Sequence, residues 1–123
     1  RRVDLARSIS SAAVACLGIV ISVTLFSVIS GILCEVIKSN KILSLILPFI
    51  EVSTSCSRLC EFGGVSSLIL IAFALGFSGI SVHMQIRSAL ANTDLGYSRF
   101  LCGKLAVGIL SALIFSLLHV VIK

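Results

Sequence analysis

The sequence predicts an all-α fold of polytopic transmembrane helices, some of them broken or re-entrant, and three observations carry that expectation. The chain is 58% hydrophobic and only 12% charged over 123 residues, where a soluble domain uses roughly 25% charged side chains to coat its surface. Its charges fall between long uncharged runs at positions 8–34, 62–86 and 105–122. As helices these reach about 40, 37 and 27 Å, against a hydrocarbon core of roughly 30 Å. The ten Lys and Arg stand singly between the runs, so they form flanks and no basic face. The implied surroundings are a lipid bilayer, and nucleic acid is set aside as a partner despite the net charge of +5.

The first helix is expected at about 8–37, after Arg7 and before Lys38, with Ser39 and Asn40 as breakers. Ser11 and Ala15, Gly18 and Ser22, and Ser27 and Gly31 recur at four-residue spacing, which lets another helix approach closely in lipid. A broken hairpin is expected at about 42–61. Its apolar run, 42–50, is too short to cross, and Pro48 disturbs the turn before it by removing a backbone donor. The polar stretch Glu51-Val52-Ser53-Thr54-Ser55 follows at once.

An interrupted helix is expected at about 62–92, broken by Gly76-Phe77-Ser78-Gly79. The apolar stretch before the break makes roughly 16 Å of helix, about half a bilayer. The last helix, about 100–122, repeats the small-residue device with Gly108, Ala112 and Ser116. With the hairpin re-entrant, Arg1, Arg2, Arg7, Arg87, Arg99 and Lys104 share one side, against Lys38, Lys41, Arg58 and Lys123. That bias favours a cytoplasmic N-terminal side. Because the chain opens on Arg1 and its first apolar run is too long for a signal peptide, it is expected to be one domain of a longer protein. The missing N-terminal half or a second copy would then be its partner, the latter making a homo-oligomer.

Candidate chemistry sits at the two breaks. A carboxylate at membrane depth costs about 3 kcal/mol and persists mainly where it has a partner or an ion to hold. Glu51, with the hydroxyls of Ser53 and Thr54, is therefore a candidate ligand for a cation or a small polar solute. The plainer alternative is that Glu51 snorkels or pairs with Arg58. At the second break Ser78 and Gly79 let the backbone approach a ligand, and the amides around Ser81 open the next half-helix, with Gln85 beyond. The alternative is a hinge for tight packing, with Gln85 bonding a neighbouring helix.

The Gly-x-Ser-Gly form around Ser78 is also that of rhomboid-type intramembrane proteases. His119, however, lies in the last turn of the chain without the glycines that follow the rhomboid histidine, so no catalytic pair is expected. Five cysteines, Cys16, Cys34, Cys56, Cys60 and Cys102, give no disulfide framework. Cys56 and Cys60 have only His83 and His119 as imidazole partners, at no ligand spacing. No enzyme activity, cofactor or metal is expected.

Three stretches together resemble one family. Leu17-Gly18-Ile19-Val20-Ile21 with Phe26-Ser27-Val28-Ile29 looks like its glycine-then-FSV helix. Pro48-Phe49-Ile50-Glu51-Val52-Ser53-Thr54 looks like its acidic E-x-T-T-G signature, and the segment from Gly76 to Gln85 like its FGG-x-SV-x-x-Q motif. Phe100-Leu101-Cys102-Gly103-Lys104-Leu105 falls where the family begins its final helix. These motifs resemble the nucleoside-recognition or gate domain proteins, in particular a sporulation branch of that family. Ser55 stands where the acidic signature has glycine, and Ser78 replaces the second glycine of FGG. The resemblance implies one gate-type repeat of a multi-pass protein in the plasma membrane of a spore-forming bacterium, transporter-like and needed for spore formation. A non-transporting membrane scaffold in spore assembly is the alternative.

Overall fold

The computed structural model describes residues 4–90 and 96–122, which contain helices and no strand. In chain order these are α1 (Leu5–Val36), α2 (Asn40–Ile50), α3 (Val52–Phe62), α4 (Gly64–Phe77), α5 (Gly79–Leu90) and α6 (Tyr97–Ile122). Three stretches are long and apolar enough to cross a membrane: α1, α4 together with α5, and α6. The fold is all-α with transmembrane-type helices. Positions 91–92 of the expected interrupted helix lie outside the described residues, as do Arg1, Arg2 and Lys123 of the charge tally.

Of the two expected breaks, the first is displaced and the second is narrower than expected. Pro48 does not stop α2, because it sits inside the helix, buried, and the helix runs on to Ile50. What ends α2 is Glu51, whose extended backbone (φ −151°, ψ 133°) makes it the end of α2 and the cap of α3 at once. The second break is narrower than Gly76 to Gly79. Gly76 and Phe77 are still helical, and the turn is made by Ser78 in the left-handed region (φ 76°) and by Gly79 (φ 65°).

Helices α2 and α3 pack on each other and both pack on α4. The start of α2 (Asn40, Lys41) lines the same cleft as the end of α3 (Phe62) and Gly63. The hairpin therefore enters and leaves at one end of the bundle, with Glu51 at its tip. Each arm has 11 residues, about 16 Å of helix, a length about half the thickness of a bilayer's hydrocarbon core. Helix α4 starts from that same end and reaches the tip, where a methyl on Gly79 would lie 3.2 Å from the Ile50 carbonyl oxygen and 3.3 Å from Glu51 Cα. Helix α5 then leaves toward α1 without folding back along α4. Helix α6 runs antiparallel to α4, so that Ser111 faces Gly76, Lys104 meets Ser78, and Phe100 lies on His83.

In lipid, helices associate through close packing and polar contacts, since hydrocarbon gives no hydrophobic drive between them. The α4–α6 pair uses Gly76 and Gly108 for this: a Cβ on Gly76 would come within 2.7 Å of Gly108 Cα, and one on Gly108 within 3.1 Å of Phe73 and Phe77. Phe49 of the hairpin joins Phe73 and Phe77 with centroid separations of 5.2 and 5.4 Å. Such aromatic pairs contribute about 0.5–1.5 kcal/mol each beyond their buried area. The buried apolar side chains belong to the hairpin (Leu43, Leu47, Leu59) and to α4 (Ala74, Phe77). The short, broken segment is thus the sheltered one, as it must be where interrupted backbone cannot face lipid.

Candidate functional site

The crossing of the two breaks gathers two helix ends and two helix starts. Helices α2 and α4 end there, presenting carbonyls, while α3 and α5 begin there, presenting amides. Each terminus carries a partial charge of about half an elementary unit. A charged side chain answers each sign.

Glu51 answers the amides. Its Oε1 accepts from the Ser53 amide at 2.8 Å and its Oε2 from the Thr54 amide at 2.7 Å. With both oxygens so engaged and the residue 3% exposed, the carboxylate is a cap built into the start of α3. Ser53 contributes its amide and, although the residue is exposed, its hydroxyl also interacts with the Glu51 carboxylate. Thr54 reaches α1, with its Oγ1 3.2 Å from Ser27 Oγ. Arg58 pairs with Glu61 at 3.0 Å, so the expected alternative partner of Glu51 is engaged elsewhere.

Lys104 answers the carbonyl end. Its Nζ donates to Ser78 Oγ at 2.9 Å, beside the last turn of α4, where a cation is favoured. The sequence reading took Lys104 for a flank because the uncharged run begins at Leu105. Helix α6, however, starts at Tyr97, which sets Lys104 two turns, about 10 Å, inside it. Of the two cations of α6, Arg99 lies in its first turn and Lys104 deeper in the helix, and that depth is the signal that marks Lys104.

Helix α5 carries the remaining candidates. Gly79 lies against the hairpin tip, and Ser81 is buried with no hydrogen bond from its hydroxyl among the described residues. Gln85 stands one turn beyond Ser81, its Nε2 buried and without a partner among the described residues. His83 Nε2 donates to the Phe77 carbonyl at 3.0 Å, which leaves Nδ1 unpartnered. The imidazole is enclosed by Phe77, Phe100 and Tyr97 at centroid separations of 4.7, 5.6 and 6.2 Å. On α1, one turn past Ser27 and on the same face, Ser30 is fully buried and its hydroxyl also has no partner.

The structure therefore brings Glu51, the Ser53 and Thr54 amides, Ser78 and Gly79 to one place. Polar atoms without partners lie on the adjoining helices. Buried polar groups of this kind cost about 1–3 kcal/mol each when left unpaired, which water or a polar solute would relieve. Among the described residues no group of three or more His, Cys, Asp or Glu is arranged to hold a metal ion. No protein-family model, curated protein or solved structure matches the chain.

Proposed function

We propose that the chain is the gate-type part of a transporter-like integral membrane protein that engages a small polar solute of nucleoside size where its two broken helices cross. The observation that carries this reading is the seating of Gly79 against Ile50 and Glu51. Broken helices in polytopic transporters place half-helix ends at mid-bilayer for this purpose, and lipid would not tolerate the interruption without a sheltered polar use. The motif resemblance supports the nucleoside-sized solute, the bacterial plasma membrane and the role in spore formation. The chain works here against a second copy or a further half of the same protein.

Flux tests the reading. Full-length protein in liposomes should take up labelled nucleoside, and Lys104→Gln should lower uptake about tenfold, an effect worth ~1.4 kcal/mol, without loss of the folded fraction. Undiminished uptake in that variant would remove the crossing from the mechanism.

One observation favours a second reading, a membrane scaffold in spore assembly. The crossing is closed tightly enough that even a methyl on Gly79 meets the Ile50 carbonyl at 3.2 Å, and the carboxylate of Glu51 is spent on capping. For a scaffold, no solute moves under any imposed gradient, and Lys104→Gln still supports sporulation.

A further inference from the structure

A cleft of about 390 Å³ opens at the end of the bundle where the hairpin enters and leaves, remote from the crossing. Asn40, Lys41, Ser44, Ser66 and Ser67 give it polar lining, and Leu45, Phe62 and Leu70 apolar lining. Among the described residues no aspartate or glutamate lines it.

Two helices begin at this cleft and neither has a side-chain cap: Ser39 ahead of α2 and Gly63 ahead of α4 make no such bond. The contrast with α3, whose amides are filled by Glu51, is plain. A separate sign that the place takes an occupant is Ser67. It is only 6% exposed, it lines the cleft, and its hydroxyl makes no hydrogen bond among the described residues. Lys41 adds a positive charge with no acid on the cleft wall to offset it. Orphan amides, a hydroxyl donor and an ammonium group define a receptor for an anionic oxygen cluster.

Depth decides which anion. The tip of the hairpin lies about 16 Å further in, so this end sits where hydrocarbon gives way to head groups, and the Leu45 and Leu70 wall continues into the hydrocarbon. We infer that the cleft binds the phosphate of an anionic membrane phospholipid, with Lys41, Ser67 and the starts of α2 and α4 around the phosphate and an acyl chain along Leu45 and Leu70. Free inorganic phosphate shares the recognised chemistry and lacks the chain.

Native mass spectrometry of the detergent-solubilised full chain, titrated with phosphatidylglycerol and with phosphatidylcholine, separates the cases. Phosphatidylglycerol should be retained more tightly. Lys41→Gln should weaken it about fivefold, Ser67→Ala should weaken it as well, and Lys41→Arg should restore it. Lys38→Gln, outside the cleft, should change nothing, with thermal midpoints confirming that all variants are folded. Equal retention of the two lipids, or equal losses in Lys38→Gln and Lys41→Gln, overturns the site. Displacement of the lipid by millimolar inorganic phosphate assigns the cleft to a free anion and overturns the lipid.

Discussion

Replacing Glu51 with alanine removes both acceptors from the first turn of α3 and leaves the Ser53 and Thr54 amides unpaired in a buried place. The expected cost is about 2 kcal/mol, at the upper end for a lost cap, with Glu51→Gln intermediate because an amide keeps one accepting oxygen. Unfolding of the helical signal by SDS in mixed micelles measures both. Ser78 offers a second contrast. As a non-glycine residue in the left-handed region it carries backbone strain, and it also receives the Lys104 bond. Ser78→Gly loses the bond but relieves the strain, whereas Ser78→Ala loses the bond and keeps the strain, so the glycine variant should be the more stable by about 1 kcal/mol. The presence of a valuable acid at Glu51 was readable from its position between apolar runs. Its task was not, because helix caps favour Asp, Asn, Ser and Thr, and the longer glutamate reaches two amides only once Glu51 itself takes the extended backbone that opens α3. Lys104 was read as a flank although the expected last helix, from about position 100, already contained it; its contact with Ser78 depends on how α6 packs against α4, which residue order does not tell.

Among the helices, α4 and α6 depend on closeness. Gly76→Ala would drive a methyl to 2.7 Å from Gly108 Cα, and relief requires the helices to part. A loss of about 1–3 kcal/mol, the usual cost of overpacking, is expected by the same SDS titration. Gly18 on α1 makes a control, since nothing lies within 4 Å of the position a methyl would take; Gly18→Ala should stay within about 0.5 kcal/mol of the parent. Both α1 and α6 carry small residues at four-residue spacing, yet they use them differently within this chain: Gly108 of α6 admits the backbone of α4, whereas Ser27 of α1 offers its hydroxyl to Thr54 and Gly18 meets nothing. Such spacing shows that close approach is allowed and does not name the neighbour. The breaks were similarly half visible. Proline within an apolar run signals an interruption, but α2 runs through Pro48 at the cost of one i→i−4 bond, and the turn comes three residues on, at Glu51.

For the molecule in its membrane, the hairpin geometry sets which residues share a side. In a chain freed of its own cysteines, single cysteines at Lys41 and at Phe62 should react with a membrane-impermeant maleimide added to one side, and a cysteine at Ser98 only with reagent added to the other. Labelling of positions 41 and 62 from opposite sides would mean that α2 and α3 cross instead of returning. The composition gave the bilayer and the long helices, because lipid fixes length and polarity together. That the two breaks should share one sheltered place follows from the cost of interrupted backbone in lipid, whereas the particular contact of Gly79 with Glu51 depends on how the distant segments pack. The depth of the hairpin has a consequence for biosynthesis. Its arms leave the ribosome before α4 and α6 exist, and neither is long enough to settle in hydrocarbon unaided. Insertion of this segment therefore waits for the later helices: chains ending ahead of Gly64 should leave it extractable by alkaline carbonate, and extension through Ile122 should make it resistant.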